Sequence, residues 1–112
     1  MENYDEILEY LYQQKEEIEK RIVEYSLIKQ YLNDLKKQDQ TYINLGGYIF
    51  VKGSILDDST LLINAGRNIF VEKNKEEVLK MVEDVLNKLN QELDNINKKI
   101  SEITNQKKTL QS

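Results

Sequence analysis

The strongest constraint on the fold is an alternation of residue types in the middle of the chain. From residue 43 to residue 55 every odd position is apolar or glycine. These positions are Ile43, Leu45, Gly47, Ile49, Val51, Gly53 and Ile55. A period of two places such side chains on one face of a β-structure, which must pack against other apolar groups. A short insert cannot supply that cover, because isolated hairpins are marginal in water and their free edges are open to other strands. We therefore predict that residues 41–73 form a β-rich segment that mediates assembly.

Clusters of turn-forming residues divide this insert. Residues 46–47 are both glycine, and they fit either a tight turn or a bend in one long strand, because glycine reaches the positive φ angles that both require. The segment 57–60 is Asp-Asp-Ser-Thr and predicts a hairpin turn between two apolar runs. Residues 64–68 predict a second turn, after which residues 69–71 resume a strand. The two aspartates offer too few oxygen ligands for a calcium loop, so we predict no metal there.

The segment before the insert, residues 1–40, predicts a first helical arm. Its apolar residues recur at steps of three and four, which place them on one stripe of a helix. The members of this stripe are Tyr4, Leu8, Leu11, Ile18, Ile22, Tyr25, Ile28, Leu32 and Leu35. The polar residues 39–41 are expected to end the helix.

The segment after the insert, residues 74–112, predicts a second arm. Asn74 is a candidate helix cap, and Glu76 and Glu77 follow in the first turn, where the helix dipole favours acidic groups. Its apolar residues alternate at steps of three and four in a coiled-coil pattern. They are Leu79, Val82, Leu86, Leu89, Leu93, Ile96, Ile100, Ile103 and Leu110. A parallel homodimer through this helix alone is one arrangement that the pattern allows.

The two arms have similar lengths, so the chain can also fold back at the insert and place them antiparallel. The stripes then face each other, and a shift by one heptad would match almost as well. The expected pairs are Tyr4 with Leu110, Leu11 with Ile103, Ile18 with Ile96, Tyr25 with Leu89 and Leu32 with Val82. We therefore predict an α+β fold, a long antiparallel two-helix coiled-coil hairpin with a small β-hairpin insert at its base.

Composition argues against several classes of function. The chain contains no Cys, His or Trp, so the usual zinc, copper and haem ligands and the common nucleophile and base pairs are missing. Its net charge of −4 disfavours binding to nucleic acid phosphates. No apolar run approaches the roughly 20 residues that span a membrane, and the first residues are acidic, unlike a signal peptide. We expect a cytoplasmic protein that is not an enzyme, without catalytic residues, cofactors, metals, nucleic acid or membrane contacts.

The residues of the insert resemble one known family. They are the run Tyr-Ile-Asn-Leu-Gly-Gly-Tyr-Ile-Phe-Val at 42–51, the turn at 57–58, Leu-Leu-Ile-Asn-Ala-Gly at 61–66 and Ile-Phe-Val-Glu-Lys at 69–73, followed by a helix. Together with the two arms they make the chain similar to prefoldin, and the insert resembles that family's alpha-type subunit. Alpha-type subunits carry two hairpins where beta-type subunits carry one, and this insert is long enough for two.

The resemblance implies an ATP-independent chaperone that holds non-native proteins. It implies a hexamer of two alpha-type and four beta-type subunits, whose β-inserts form a double barrel and whose arm tips grip unfolded client proteins. It also implies delivery of clients to a group II chaperonin. The alternatives are a structural coiled-coil adaptor and a self-assembling prefoldin-like homo-oligomer.

Two groups of candidate site residues follow. The first twelve residues are richer in apolar and aromatic groups than the last twelve, and Ile7, Tyr10 and Tyr12 lie off the seam, so we expect the tips to contact clients. Met1 belongs to the same cluster. The candidate client-binding residues are Tyr4, Ile7, Leu8, Leu11, Tyr12, Ile103 and Leu110. The candidate assembly residues are Ile43, Leu45, Ile49, Val51, Ile55, Leu61, Ile63, Ile69 and Val71.

Overall fold

The structure, a computed structural model, describes residues 3–111, so Met1 lies outside the described residues. The elements follow in the order α1 (Tyr4–Asp34), β1 (Gln38–Gly46), β2 (Ile49–Ile55), β3 (Thr60–Asn64), β4 (Phe70–Asn74) and α2 (Lys75–Gln111). Two long helices with two small antiparallel hairpins between them confirm the predicted fold class. The chain divides into two compact units, one formed by the residues up to Ile28 and those from Val82 onward, the other by Lys29–Met81.

The first unit is an antiparallel pair of helical segments. Leu11 of α1 is buried with Ile96 and Ile100 of α2. The half-buried Leu8, Ile18 and Ile103 pack against this cluster, so the expected partners Leu11 and Ile103, and likewise Ile18 and Ile96, belong to one core. Leu89 is the most buried residue of the core at 2% exposure. Burial on steps of three and four is what an amphipathic helix achieves when another helix covers its apolar stripe.

The seam prediction was wrong at its outer end. Leu110 is 71% exposed and does not join the core. The reason is the register, because the ammonium of Lys107 pairs with the carboxylate of Asp5. Leu110 therefore lies past Tyr4, where α1 begins, and α1 does not cover it. Ile28, expected on the stripe of α1, is also exposed.

Both helices begin at asparagine caps. The side-chain oxygen of Asn74 accepts the backbone N–H of Glu77 at 2.8 Å, and the carboxylate of Glu77 accepts the side-chain amide of Asn74. This reciprocal cap confirms the predicted start of α2. Asn3 accepts the backbone N–H of Glu6 in the same way at the start of α1.

The second unit contains two separate two-stranded sheets. β1 pairs with β2, and β3 pairs with β4, both antiparallel. Gly46, the last residue of β1, pairs with Ile49 of β2, so Gly47 and Tyr48 form a tight turn; both glycines have positive φ, which settles the choice that the sequence left open. The predicted turn at 64–68 joins β3 to β4. The segment 57–60 was expected to close a hairpin, but it connects β2 to β3, which belong to different sheets.

The insert also begins earlier than predicted. β1 starts at Gln38, so the polar residues 39–41, expected to end the first arm, are strand residues. The pairing of β1 with β2 is irregular between Gln38 and Thr41 and again between Asn44 and Gly46. β-bulges of this kind interrupt the alternation of faces. The apolar period is therefore absent where β1 begins.

Candidate interaction surfaces

The strands carry apolar side chains that the chain itself leaves uncovered. In the first hairpin Ile43 lies opposite Val51 on one face. Of the candidate assembly residues, Ile43, Ile55, Leu61 and Ile63 are half-buried, whereas Leu45, Ile49, Val51, Ile69 and Val71 are exposed. No residue within the four strands is buried. Since contiguous exposed apolar surface marks interaction sites, the hairpins have the surface that an assembly needs.

The opposite face of the first hairpin is also rich in exposed aromatic residues. Tyr42 and Phe50 are exposed there, and the ammonium of Lys52 lies 6.0 Å from the ring centroid of Tyr42. Tyr48, in the turn, is 91% exposed. These residues were missed at the level of sequence because the period of two was followed only through the odd positions from 43 to 55. Their aromatic character was the signal that could have identified them, since aromatic side chains are enriched in interfaces.

A groove of about 920 Å³ lies between the end of α1 and the first hairpin. Its apolar wall is formed by Tyr31, Leu35, Ile43, Leu45, Phe50 and Ile55. Ile43, Leu45 and Ile55 are candidate assembly residues, so the groove adjoins the apolar surface of the first hairpin. Gly53 has a packing role beside it, because a Cβ atom there would lie 2.6 Å from Cδ1 of Ile43.

Hydrogen bonds hold the ends of the insert in place. The backbone N–H of Lys37 donates to the carboxylate of Asp58 at 3.1 Å, and the ammonium of Lys75 donates to the carbonyl of Leu35 at 3.2 Å. Hydrogen bonds from the Ser59 hydroxyl and backbone N–H, and weaker ones from Thr60, lower the pKa of Asp57 below its ordinary value. The link between the two sheets is therefore an organised segment.

The second candidate surface is the first three turns of α1. Ile7, Tyr10 and Tyr12 are exposed there, as predicted from their position off the seam. Of the candidate client-binding residues, Leu8, Leu11 and Ile103 lie in the core cluster and Tyr4 is half-buried. Ile7, Tyr12 and Leu110 remain open to solvent. The accessible part of this surface therefore contains fewer of the candidate residues than the sequence indicated.

The middle of α1 holds further exposed apolar residues that the sequence reading did not single out. Val23 and Leu27 lie one turn apart and are both exposed. In α2 the exposed large apolar residues of the described part are Met81 and Leu110. The two helices therefore differ outside the seam, α1 being the more apolar.

The part of the chain that the structure describes lacks two other kinds of feature, a cluster of metal ligands and a membrane-spanning helix. Residues 3–111 contain no group of three or more acidic side chains placed to hold a metal ion. Neither helix, within the same residues, is long and apolar enough to cross a membrane.

Comparisons with known proteins agree with this architecture. The family profile described as "Prefoldin subunit" matches residues 4–112. Among curated proteins, the chain is 29% identical over 91 residues to "Prefoldin subunit alpha" of Methanococcus aeolicus, covering 76% of this chain and 62% of the relative. It is 29% identical over 82 residues to "Protein UXT homolog" of Nematostella vectensis, covering 68% of this chain and 52% of the relative. The matched region thus spans between half and two thirds of the length of each curated relative.

A solved structure with a similar fold is "Cryo-EM structure of filamentous PFD from Methanocaldococcus jannaschii". The similarity has a TM-score of 0.76 at 21% identity and covers 96% of this chain and 91% of that one. At this level of identity the comparison establishes the fold.

Proposed function

The chain belongs to the prefoldin family, with the two hairpins of an alpha-type subunit, and from this premise we propose that it is a subunit of an ATP-independent chaperone. The strands assemble it with other prefoldin subunits, and the exposed residues at the start of α1 hold non-native proteins. The protein would act in the cytoplasm by binding other proteins, without catalysis or cofactors.

The observation that carries the proposal is the exposed apolar cluster in the first turns of α1. Ile7 and Tyr12 lie off the seam and do not contribute to the buried core, so stability of the helix pair does not explain them. Clusters of exposed apolar groups on soluble proteins are typical of binding surfaces. Unfolded chains expose apolar side chains, and these are the groups that such a surface would bind.

The assembly residues on the strands extend the proposal to partners. We expect beta-type prefoldin subunits to cover the exposed hairpin faces in a hexamer of two alpha-type and four beta-type chains. Several arm tips, each of low affinity, would then bind one client. Linked weak contacts raise the overall affinity without any single strong contact. Transfer of the held client to a group II chaperonin is the expected next step.

The test is suppression of aggregation of an unrelated unfolded protein, measured by light scattering without nucleotide. The double variant Ile7→Ser with Tyr12→Ser removes exposed apolar area from the tip and should weaken suppression several-fold. The matched control is Val23→Ser with Leu27→Ser, which removes exposed apolar groups from the middle of the same helix. Circular dichroism and solution mass should match the parent for both variants.

Two outcomes would contradict the proposal. If the parent does not suppress aggregation, the chain is not a holding chaperone, and the structural adaptor becomes the better explanation. If the tip variant performs as well as the control variant, clients bind elsewhere on the assembly.

A further inference from the structure

The tip surface, which is the first three turns of α1 at residues 4–14, carries acidic side chains and no basic one. Asp5 is neutralised by the ammonium of Lys107 on α2. Glu6 and Glu9 are exposed, and within residues 3–111 neither of them belongs to an ion pair. Two unpaired carboxylates therefore lie among the exposed apolar residues of the tip surface.

Each of these carboxylates stands one helical turn before an exposed tyrosine. Glu6 precedes Tyr10 by four residues and Glu9 precedes Tyr12 by three, spacings that make two side chains neighbours on a helix surface. The two tyrosines are 59% and 52% exposed. The hydroxyl of Tyr10 accepts a hydrogen bond from the side-chain amide of Gln14 at 2.8 Å, which fixes the outer end of its ring. The tip surface thus presents two Glu–Tyr pairs.

A carboxylate beside an aromatic ring suits a cationic side chain. A guanidinium or ammonium group can bond to the carboxylate and lie against the face of the ring, and both contacts favour a positive charge. The second kind of contact already occurs in this chain, where the ammonium of Lys52 lies 6.0 Å from the ring centroid of Tyr42. We propose that the tip surface selects client segments in which arginine or lysine alternates with apolar residues. The inference rests on the proposed function and names its class of client, which is unfolded basic proteins.

Apolar contact alone would not distinguish basic clients from others. Ile7 supplies the part of the binding that does not depend on charge, because burial of apolar area is non-directional. A single exposed ion pair contributes little. Two Glu–Tyr pairs on one tip, repeated on the several tips that bind one client, add to a measurable preference. The net charge of −4 on the whole chain attracts the same clients at longer range.

The end of α2 has the opposite charge and less exposed apolar area. Lys107 is engaged by Asp5, and Lys108 next to it is exposed. Of the large apolar residues beyond Ile103, the described part of α2 offers Leu110. An unfolded segment needs apolar contact as well as charge, and α1 provides both on one surface. An acidic client segment, held by the end of α2, is the competing occupant.

The experiment measures the binding of labelled peptides to the full chain by fluorescence anisotropy. Four unstructured peptides have the same length and the same apolar residues, and the positions between these residues hold arginine, lysine, glutamine or glutamate. We expect affinity to fall in that order, because a guanidinium stacks on aromatic rings better than an ammonium does. At low salt the arginine peptide should bind about tenfold more tightly than the glutamine peptide, and about 0.5 M salt should reduce this difference to about twofold by screening.

A matched pair of variants locates the preference. Glu6→Gln with Glu9→Gln removes both unpaired carboxylates and should bring the affinity for the arginine peptide close to that for the glutamine peptide. Glu19→Gln with Glu24→Gln removes the same charge from exposed positions further along α1 and should keep the preference of the parent. Glutamine and glutamate have similar helix propensities, so circular dichroism should match the parent for both variants.

The contribution of the rings is tested separately. Tyr10→Leu with Tyr12→Leu keeps an apolar side chain at each position and removes the aromatic face. The advantage of the arginine peptide over the lysine peptide should then disappear, because a carboxylate without a ring attracts both cations. Both basic peptides should still bind more tightly than the glutamate peptide.

Three outcomes would overturn the inference. The first is equal binding of the four peptides, the second is tightest binding of the glutamate peptide, and the third is a Glu19→Gln, Glu24→Gln variant that loses the preference as fully as the tip variant does. If any of these occurs while the parent suppresses aggregation, selection by charge at the tip is wrong and the proposed function stands. If the parent binds none of the peptides and does not suppress aggregation, the proposed function fails with it.

Discussion

The helix pair and the strands use similar side chains with opposite results. In the helix pair the apolar stripes cover each other, and Leu89 and Ile96 are buried within the single chain. In the strands the apolar period is just as regular, yet Ile49 and Val51 stay exposed because each sheet has only two strands and no layer of its own to cover it. Apolar patterning therefore predicts which face needs cover, and the number of neighbouring elements decides whether the chain provides that cover itself.

The largest expected effect comes from placing a charge on the uncovered face. Val51→Asp should abolish assembly with other subunits while the helix content stays that of the parent, because a carboxylate buried in an apolar interface without a partner costs several kcal/mol. Sedimentation and circular dichroism measure the two properties. Asn87→Asp, on the exposed side of α2, adds the same charge and should assemble normally. Normal assembly of the Val51→Asp variant would mean that the strand face is not the interface.

The next effect tests the covered face. Leu89→Ala should lower the free energy of unfolding by about 2 to 4 kcal/mol, because it removes a buried side chain and leaves a cavity. Urea unfolding followed by circular dichroism provides the measurement. Val23→Ala, an exposed position on α1, is the control and should change stability by less than about 0.5 kcal/mol. Equal effects of the two substitutions would show that Leu89 is not in a packed core.

A smaller effect should follow from crowding within the first hairpin. Gly53→Ala places a methyl group 2.6 Å from Cδ1 of Ile43, so the isoleucine side chain must move, at a cost of about 1 kcal/mol. Thermal melting of the assembled form should detect it. The second substitution Ile43→Val removes the clashing atom and should recover part of the loss. A double variant that is less stable than Gly53→Ala alone would contradict this explanation.

The smallest effect concerns the link between the sheets. Since hydrogen bonds from Ser59 lower the pKa of Asp57 below its ordinary value of 3.8, ionised Asp57 stabilises the folded link. That stabilisation is present above pH 3.8 and is lost as the pH falls below this value toward the lowered pKa. The amide resonance of Ser59 in nuclear magnetic resonance spectra should report the titration, and Asp57→Asn should abolish it. A midpoint at or above 3.8 would exclude the stabilising role.

Most of the fold could be predicted from the sequence because periodicity survives where elements are long. The steps of three and four in α2 identify Leu89, Ile96 and Ile100, all of which are buried. Val78, also buried, was missed because Leu79 next to it fits the same pattern. Steps of three and four alone do not show which of two adjacent apolar residues is buried at the end of a helix, because few neighbouring residues are there to fix the pattern.

Strand pairing was harder to predict, because turn-forming residues do not specify which strands they join. The segment 57–60 has the composition of a hairpin turn, but its hydrogen bonds organise a link between separate sheets. The start of β1 at Gln38 could not be predicted, because irregular pairing removes the period of two there.

At the tips, the sequence indicated correctly that Ile7 and Tyr12 are exposed. It also indicated correctly that Leu11 belongs to the seam with Ile103, because both residues lie in the core cluster.

The insert is divided into two separate sheets, so the number of hairpins on a chain sets how many sheets that chain can join. A chain with one hairpin can join one sheet, so it acts as a monofunctional unit that ends growth. A chain with two hairpins is bifunctional, because β1–β2 and β3–β4 can each enter a different sheet. An assembly of bifunctional chains alone can keep growing. Added monofunctional chains stop its growth at a size set by the ratio of the two kinds of chain. The subunit ratio in which this chain is supplied would then select between a closed particle and an extended polymer.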